Sequence, residues 1–193
     1  MYKLCKTEES ARRQRQLEQG LLTMMAEKEY EQISVSDLCD AMQVPRKSFY
    51  RYFASKDGAL YALIDHTLME YESTTLNHTD SEQRSVQREL TQFFQFWIEK
   101  KSFLDALQKS RMSGMLVARS MNHATAMYGI PARFLPDDHP EVRRQVILFC
   151  VSGLMSMVLS WHHEGYPQSA AQMAAIATRL LSRPLFPDIE HLL

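Results

Sequence analysis

The chain has 193 residues, 45% of them apolar and 23% charged, with only 6 Gly and 7 Pro, a balance that excludes a disordered or fibrous chain and fits a globular protein with a sizeable core. Its net charge is −1, so the sum of charges marks neither a polyanion binder nor an acidic tail. The three cysteines, Cys5, Cys39 and Cys150, are odd in number and too far apart for a Cys-x-x-Cys site, which points to a reducing cytoplasm.

Apolar residues recur at spacings of three and four nearly everywhere, which predicts an all-α protein. A first helix starts at Thr7 or Ser10 and carries Leu17, Leu21, Leu22, Met24 and Met25. Ser34 with Asp37 reads as a capping box that opens a short second helix, and Gln43-Val44-Pro45 turns the chain because the residue before proline leaves the helical region. A third helix covers Arg46 to about Tyr52. Ser55 caps a fourth, running from Lys56 to about Thr74 with Leu60, Leu63, Ile64 and Leu68 on one side. Asn77–Ser81 is a polar connector. Val86, Leu90, Phe93, Phe94 and Trp97 mark a further helix, Ser102 caps the next, and Met112–Tyr128 forms a Met-rich one.

Gly129–Pro140, with three prolines, reads as a loop. A long helix then begins at Pro140 and stops at Gly165 and Pro167. Its most apolar run, Val146–Trp161, has 16 residues and falls short of the ~20 needed to span a bilayer, so it is expected to be a buried helix and not a membrane span. No signal peptide is expected from the first residues, Met1-Tyr2-Lys3-Leu4-Cys5-Lys6. Ser169 and Gln172 form a second capping box for a last helix, with Met173, Ile176, Ala177, Leu180 and Leu181 expected inward until Pro184.

The charge distribution singles out one place. Between Pro45 and Lys56 stand Arg46, Lys47, Arg51 and Lys56 with no acid, within a short helix, a turn and a second short helix, the layout of a helix-turn-helix DNA reader. At 100° per residue Arg46, Lys47, Tyr50 and Arg51 fall within an arc of ~140°, leaving Ser48, Phe49 and Tyr52 on the other side to pack on Leu38 and Met42. Arg presents a donor fork for guanine or phosphate, Lys a point charge, and Tyr a hydroxyl. Ser34 and Ser36, at the start of the preceding helix, add candidate phosphate contacts.

The pattern from Leu17 to Leu63 resembles the TetR (tetracycline-repressor) family of bacterial transcriptional regulators. It is carried by Leu17, Leu22, Met24-Met25, Tyr30, Ser34-Val35, Leu38, Ala41, Val44, Ser48-Phe49-Tyr50, Tyr52-Phe53, Ser55-Lys56 and Leu60, above all by the stretch Phe49 to Lys56. Glu29 and Gln43 stand where the family commonly has glycine. The resemblance implies a three-helix head at residues 1–54, a helical effector-binding and dimerisation body at residues 55–193, and about nine helices in all. It implies double-stranded operator DNA as partner, with Lys56 and Tyr50 as phosphate contacts, and a homodimer. The function expected is that of a repressor released by a small apolar or aromatic effector. The alternative is a dimeric DNA-binding protein that answers to a protein partner or acts architecturally.

The remaining candidates are weaker. His66 and Glu70, and His162, His163 and Glu164, give no trio with metal-ligand spacing, and no nucleophile motif or phosphate-binding loop is present. Neither an enzyme, a metal nor a cofactor is expected. Phe93, Phe94, Phe96 and Trp97 occupy more of a helix's circumference than one inward stripe requires. A pocket lined by Phe93, Trp97, Phe103, Met115, His123 and Phe149 is the expectation, with Asn122 and His123 as its polar groups. The long apolar helix Glu141–Glu164 and the last helix are expected to build the dimer, with Gly153, Ser152, Ser156 and Ala174 allowing close approach.

Overall fold

The computed structural model describes residues 1–76, 85–127 and 140–182. The expected Asn77–Ser81 connector, the Gly129–Pro140 loop up to residue 139 and the stop at Pro184 lie outside the described residues. Nine α-helices follow in order, with no strand among the described residues: α1 (Glu8–Glu27), α2 (Val35–Ala41), α3 (Arg46–Tyr52), α4 (Lys56–Leu76), α5 (Val86–Glu99), α6 (Lys101–Lys109), α7 (Ser113–Met127), α8 (Pro140–His163) and α9 (Ala170–Ser182). Thr7 caps α1 through the Ser10 N–H, and Ser34 with Asp37 forms a full capping box on α2. Ser169 and Gln172 bond reciprocally at the start of α9. Ser102 does not cap α6. It stands inside the first turn, and Lys100 occupies the cap position without a side-chain bond.

In the head, Leu17, Leu21 and Met25 from α1 meet Leu38 and Cys39 from α2 and Phe49 and Tyr52 from α3, all buried. Each such large side chain contributes about 1.5–3 kcal/mol by leaving water. The amino-terminal segment lies across the end of α3: the Lys3 N–H donates to Tyr52 O at 2.9 Å and the Ala54 N–H to Met1 O at 3.1 Å. Gly58 makes this possible, since a Cβ there would stand 2.7 Å from the Met1 carbonyl oxygen.

Helix α4 is common to both halves, packing on α1 and on α7, and one hydrophobic core runs continuously from Leu17 to Ala177. Polar ties reinforce it. Glu18 of α1 meets His66 of α4 at 2.8 Å, Asp65 of α4 holds the Arg119 guanidinium of α7 by two bonds and also accepts from the Tyr2 hydroxyl at 2.8 Å, and Lys109 of α6 donates to Ala26 O at 2.7 Å. Burial first, then the bond to Asp65, pushes the Tyr2 hydroxyl pKa far up. The body pairs α5 with α9 and α7 with α8. Between them sits an edge-to-face aromatic cluster of Phe93, Phe94, Phe96, Trp97, Trp161 and Tyr166.

The last two helices depart from expectation. α8 runs 24 residues from the expected start at Pro140, and by length and composition alone it is long and apolar enough to cross a membrane. Ile147, Met155, Val158 and Trp161 bury one side of it, while Val142, Phe149, Gly153 and Ser156 remain exposed on another. On α9, Ala170, Met173, Ala174 and Ala177 face α5, whereas Ile176, Leu180 and Leu181, expected inward, are exposed. Ala174, expected to admit a neighbouring protomer, is fully buried within this one. A helix apolar on two faces can cover only one of them against its own chain.

Candidate nucleic-acid interface

The α2–turn–α3 unit is held from within. Phe49 is 0% exposed and packs on Phe53 with ring centroids 5.1 Å apart. That anchor turns Arg46, Lys47, Tyr50 and Arg51 together into solvent, while Ser48 is half-buried and Tyr52 buried. The turn puts Gln43 at φ 53°, the left-handed region where a side chain costs about 1 kcal/mol or more. Glu29, the other position without the family's glycine, has φ −60° and carries no such strain.

Along the exposed face, the Arg46 guanidinium lies 6.0 Å from the Tyr50 ring centroid, and the bond to Tyr50 raises the Arg46 pKa further. Tyr50 itself is 45% exposed. None of Arg46, Lys47 and Arg51 forms an ion pair among the described residues. Such a face, cationic and without carboxylates, is suited to a phosphate backbone and to base edges beside it.

Lys56 stands apart from these, at the start of α4. Its ammonium donates to the Tyr30 carbonyl at 2.5 Å and lies 4.0 Å from the Tyr30 ring centroid, while the Tyr30 hydroxyl donates to Asp57 at 2.6 Å. Lys56 is therefore held in place with donors to spare. Tyr30 and Asp57 are positioning residues that sequence reasoning missed, because nothing local links positions 26 residues apart.

At α2 the expected capping box is formed. The Ser34 hydroxyl accepts the Asp37 N–H at 3.0 Å, and the Asp37 carboxylate accepts the Ser34 N–H at 2.9 Å. Ser34 itself is exposed. Ser36, half-buried, keeps its place on α2 next to that cap.

The six expected pocket residues divide. Phe93, Trp97 and Phe103 are brought together, with Trp97 stacked on Phe103 at 6.4 Å, but they pack on one another. Met115 is half-buried against the core. His123 is paired with Glu72 of α4 at 3.1 Å. Phe149 is 65% exposed and cannot line an interior site of its own protomer, since it lies on the outer face of α8. A cavity of about 590 Å³ does exist, between α1, α4 and the α5–α6 junction, and of the six it includes only Phe103. His66 and Glu70 serve Glu18 and Lys100 respectively, and His162 serves Asp105.

Residues 20–63 match the family model described as bacterial regulatory proteins, tetR family. No curated protein sequence matches the chain. Among solved structures it is similar to the fatty acid degradation regulator FadR from Bacillus halodurans, at TM-score 0.60 and 15% identity, over 94% of this chain and 98% of that one. It is similar to a tetR-family transcriptional regulator from Streptomyces coelicolor at TM-score 0.58 and 18% identity, over 88% and 80%. The dihydroxyacetone kinase operon activator DhaS aligns at TM-score 0.57 and 16% identity, over 88% and 94%. These likenesses are of fold. The family's reading head at residues 20–63 and the all-helical architecture beyond it support a TetR-family DNA-binding transcriptional regulator.

Proposed function

We propose that the chain acts as a homodimer on a pseudo-palindromic operator, as a cytoplasmic repressor whose grip is released by a small apolar or aromatic effector. The observation that carries the DNA reading is the one-sided exposure of Arg46, Lys47, Tyr50 and Arg51 over the buried Phe49. In this reading Arg46 and Arg51 reach base edges, Lys47, Tyr50 and Lys56 hold phosphates, and Ser36 is the α2 contact, with Ser34 shaping the helix start. Residues 1–54 form the head and residues 55–193 the body, with α4 as the shared lever between them.

The dimer reading rests on what α8 and α9 leave uncovered. Phe149, Gly153 and Ser156 share one face of α8, an added Cβ at Gly153 would meet nothing within 4 Å, and Ile176 and Leu180 are exposed on α9. An aromatic ring among small residues suits close packing against a second copy, and a two-fold dimer implies two half-sites about one helical turn apart.

The effector reading draws on the aromatic cluster, where the Trp97 indole N–H is buried without an acceptor among the described residues. A guest offering an acceptor there would relieve a cost of about 1–3 kcal/mol. The tight packing of Phe93, Trp97 and Phe103 instead favours the alternative, a regulator that answers to a protein partner or acts without a ligand. The experiment for the core of the proposal is selection of a duplex from random sequence, followed by anisotropy titration. Arg46→Ala or Arg51→Ala should weaken the selected duplex by about 1–3 kcal/mol and relax its sequence preference. Binding indifferent to both substitutions refutes the assignment. Screening for compounds that dissociate the complex then separates the two modes of regulation.

A further inference from the structure

We propose that the cavity where α1, α4 and the α5–α6 junction meet binds a small amphipathic carboxylate, one anionic head on an apolar or aromatic group, and that its occupant ties the head to the body. The cavity holds about 590 Å³ and has an apolar wall of Leu22, Leu63 and Phe103. On its α1 side stand Arg12 and Arg15, exposed, one turn apart, and in no ion pair among the described residues. Arg13, outside the lining, is by contrast paired with Glu9 at 2.5 Å.

Two of the three acids lining the cavity are engaged by other groups. Glu70 is paired with Lys100 at 2.6 Å. Glu18 gives one oxygen to His66 at 2.8 Å, and its other oxygen is shielded from solvent. Glu99 alone remains an exposed acid without a described partner, against two guanidiniums. Two Arg forks one turn apart match a carboxylate's two oxygens, and the ring of Phe103 offers a surface for the apolar group. A ligand in this place touches α1 of the head, the lever α4 and α6 of the body at once. It would therefore favour one head–body arrangement and change duplex affinity by linkage. Only this last consequence rests on the DNA-binding reading.

Phe103 also supplies the readout, since it stacks on Trp97. The test titrates the full-length chain with phenylbutyrate, phenylbutanol and phenylbutylamine, following tryptophan fluorescence and calorimetry. Phenylbutyrate should bind saturably, at one site per protomer, with the alcohol and the amine weaker by about tenfold or more. The double substitution Arg12→Ala/Arg15→Ala should bring the acid down to the alcohol's affinity, while leaving the alcohol's affinity, the helix content and ligand-free duplex binding unchanged. Absence of saturable binding, equal binding of the three compounds, or acid binding indifferent to the double substitution overturns the proposal, the last by placing the ligand elsewhere in the body. Ligand-free duplex binding is measured in the same series, so failure of this site is distinguishable from failure of the DNA reading.

Discussion

Among the described residues, α3 and α8 each leave one face uncovered, and the two faces differ in kind. On α3 the uncovered residues are Arg46, Lys47, Tyr50 and Arg51; on α8 they are Val142, Phe149, Gly153 and Ser156. In both helices the opposite side is anchored in the core, by Phe49 and Tyr52 in one and by Met155, Val158 and Trp161 in the other. The comparison teaches that the chemistry of the leftover face selects the partner. Fixed cations without acids favour a polyanion, whereas an aromatic among small residues gains free energy only by meeting another apolar surface.

Four measurements break or sharpen that contrast. The largest effect is expected from Phe49→Ala, which should cost the head about 3–5 kcal/mol by opening a cavity beneath α3. Thermal unfolding should show the loss, and duplex binding should vanish although every cation remains. If binding survives, the anchored-face account is wrong. Next comes Phe149→Glu, on the outer face of α8. A central anchor of this kind is worth about 2 kcal/mol or more to an interface, so sedimentation should shift toward a 22.4 kDa monomer. Since Phe149 is 65% exposed in the protomer, helix content should stay intact; an unchanged dimer would assign that face to something else.

Gln43→Gly tests the turn between α2 and α3. Relieving a side chain at φ 53° should add about 1 kcal/mol of stability, read as a higher Tm without loss of duplex affinity. A lower Tm would show that the glutamine side chain contributes more than its strain removes. The smallest effect is electrostatic. The Asp37 carboxyl is held below the ordinary carboxylate range by its bond from the Ser34 backbone N–H, then by the Ser34 hydroxyl. A lowered folded-state pKa means stability that is present above the unfolded value and lost as pH falls through the folded value. Asp37→Asn should therefore flatten the acid side of the melting profile, between the unfolded and folded values, by lowering stability at neutral pH and leaving the acid end little changed. A profile of unchanged slope would remove the capping box from the acid response.

Much of the head was legible because its signals are local. The Ser34–Asp37 box, the Val44-Pro45 break and the spacing of Arg46, Lys47, Tyr50 and Arg51 around Phe49 each depend on residues within one or two turns of each other. Gln14 and Glu18, polar residues on the Leu17–Leu21–Met25 side of α1, are buried. Their partners, Cys5 and His66, lie on other segments. Phe93, Trp97 and Phe103 converge as expected, but Phe149 sits outside and His123 is claimed by Glu72.

By itself, then, the sequence determined the all-helical class, most helix starts and the cationic face of α3, because capping, proline breaks and helical periodicity act over a few residues. Only the tertiary structure decided which apolar face of α8 and of α9 enters the protomer core, that Tyr30 and Asp57 hold Lys56 in place, and that a cavity opens between α1, α4 and α6. The physical reason is that burial is competitive. A helix with apolar residues on two sides satisfies its own periodicity either way up, and the choice falls to the shape and charge of neighbours distant in sequence.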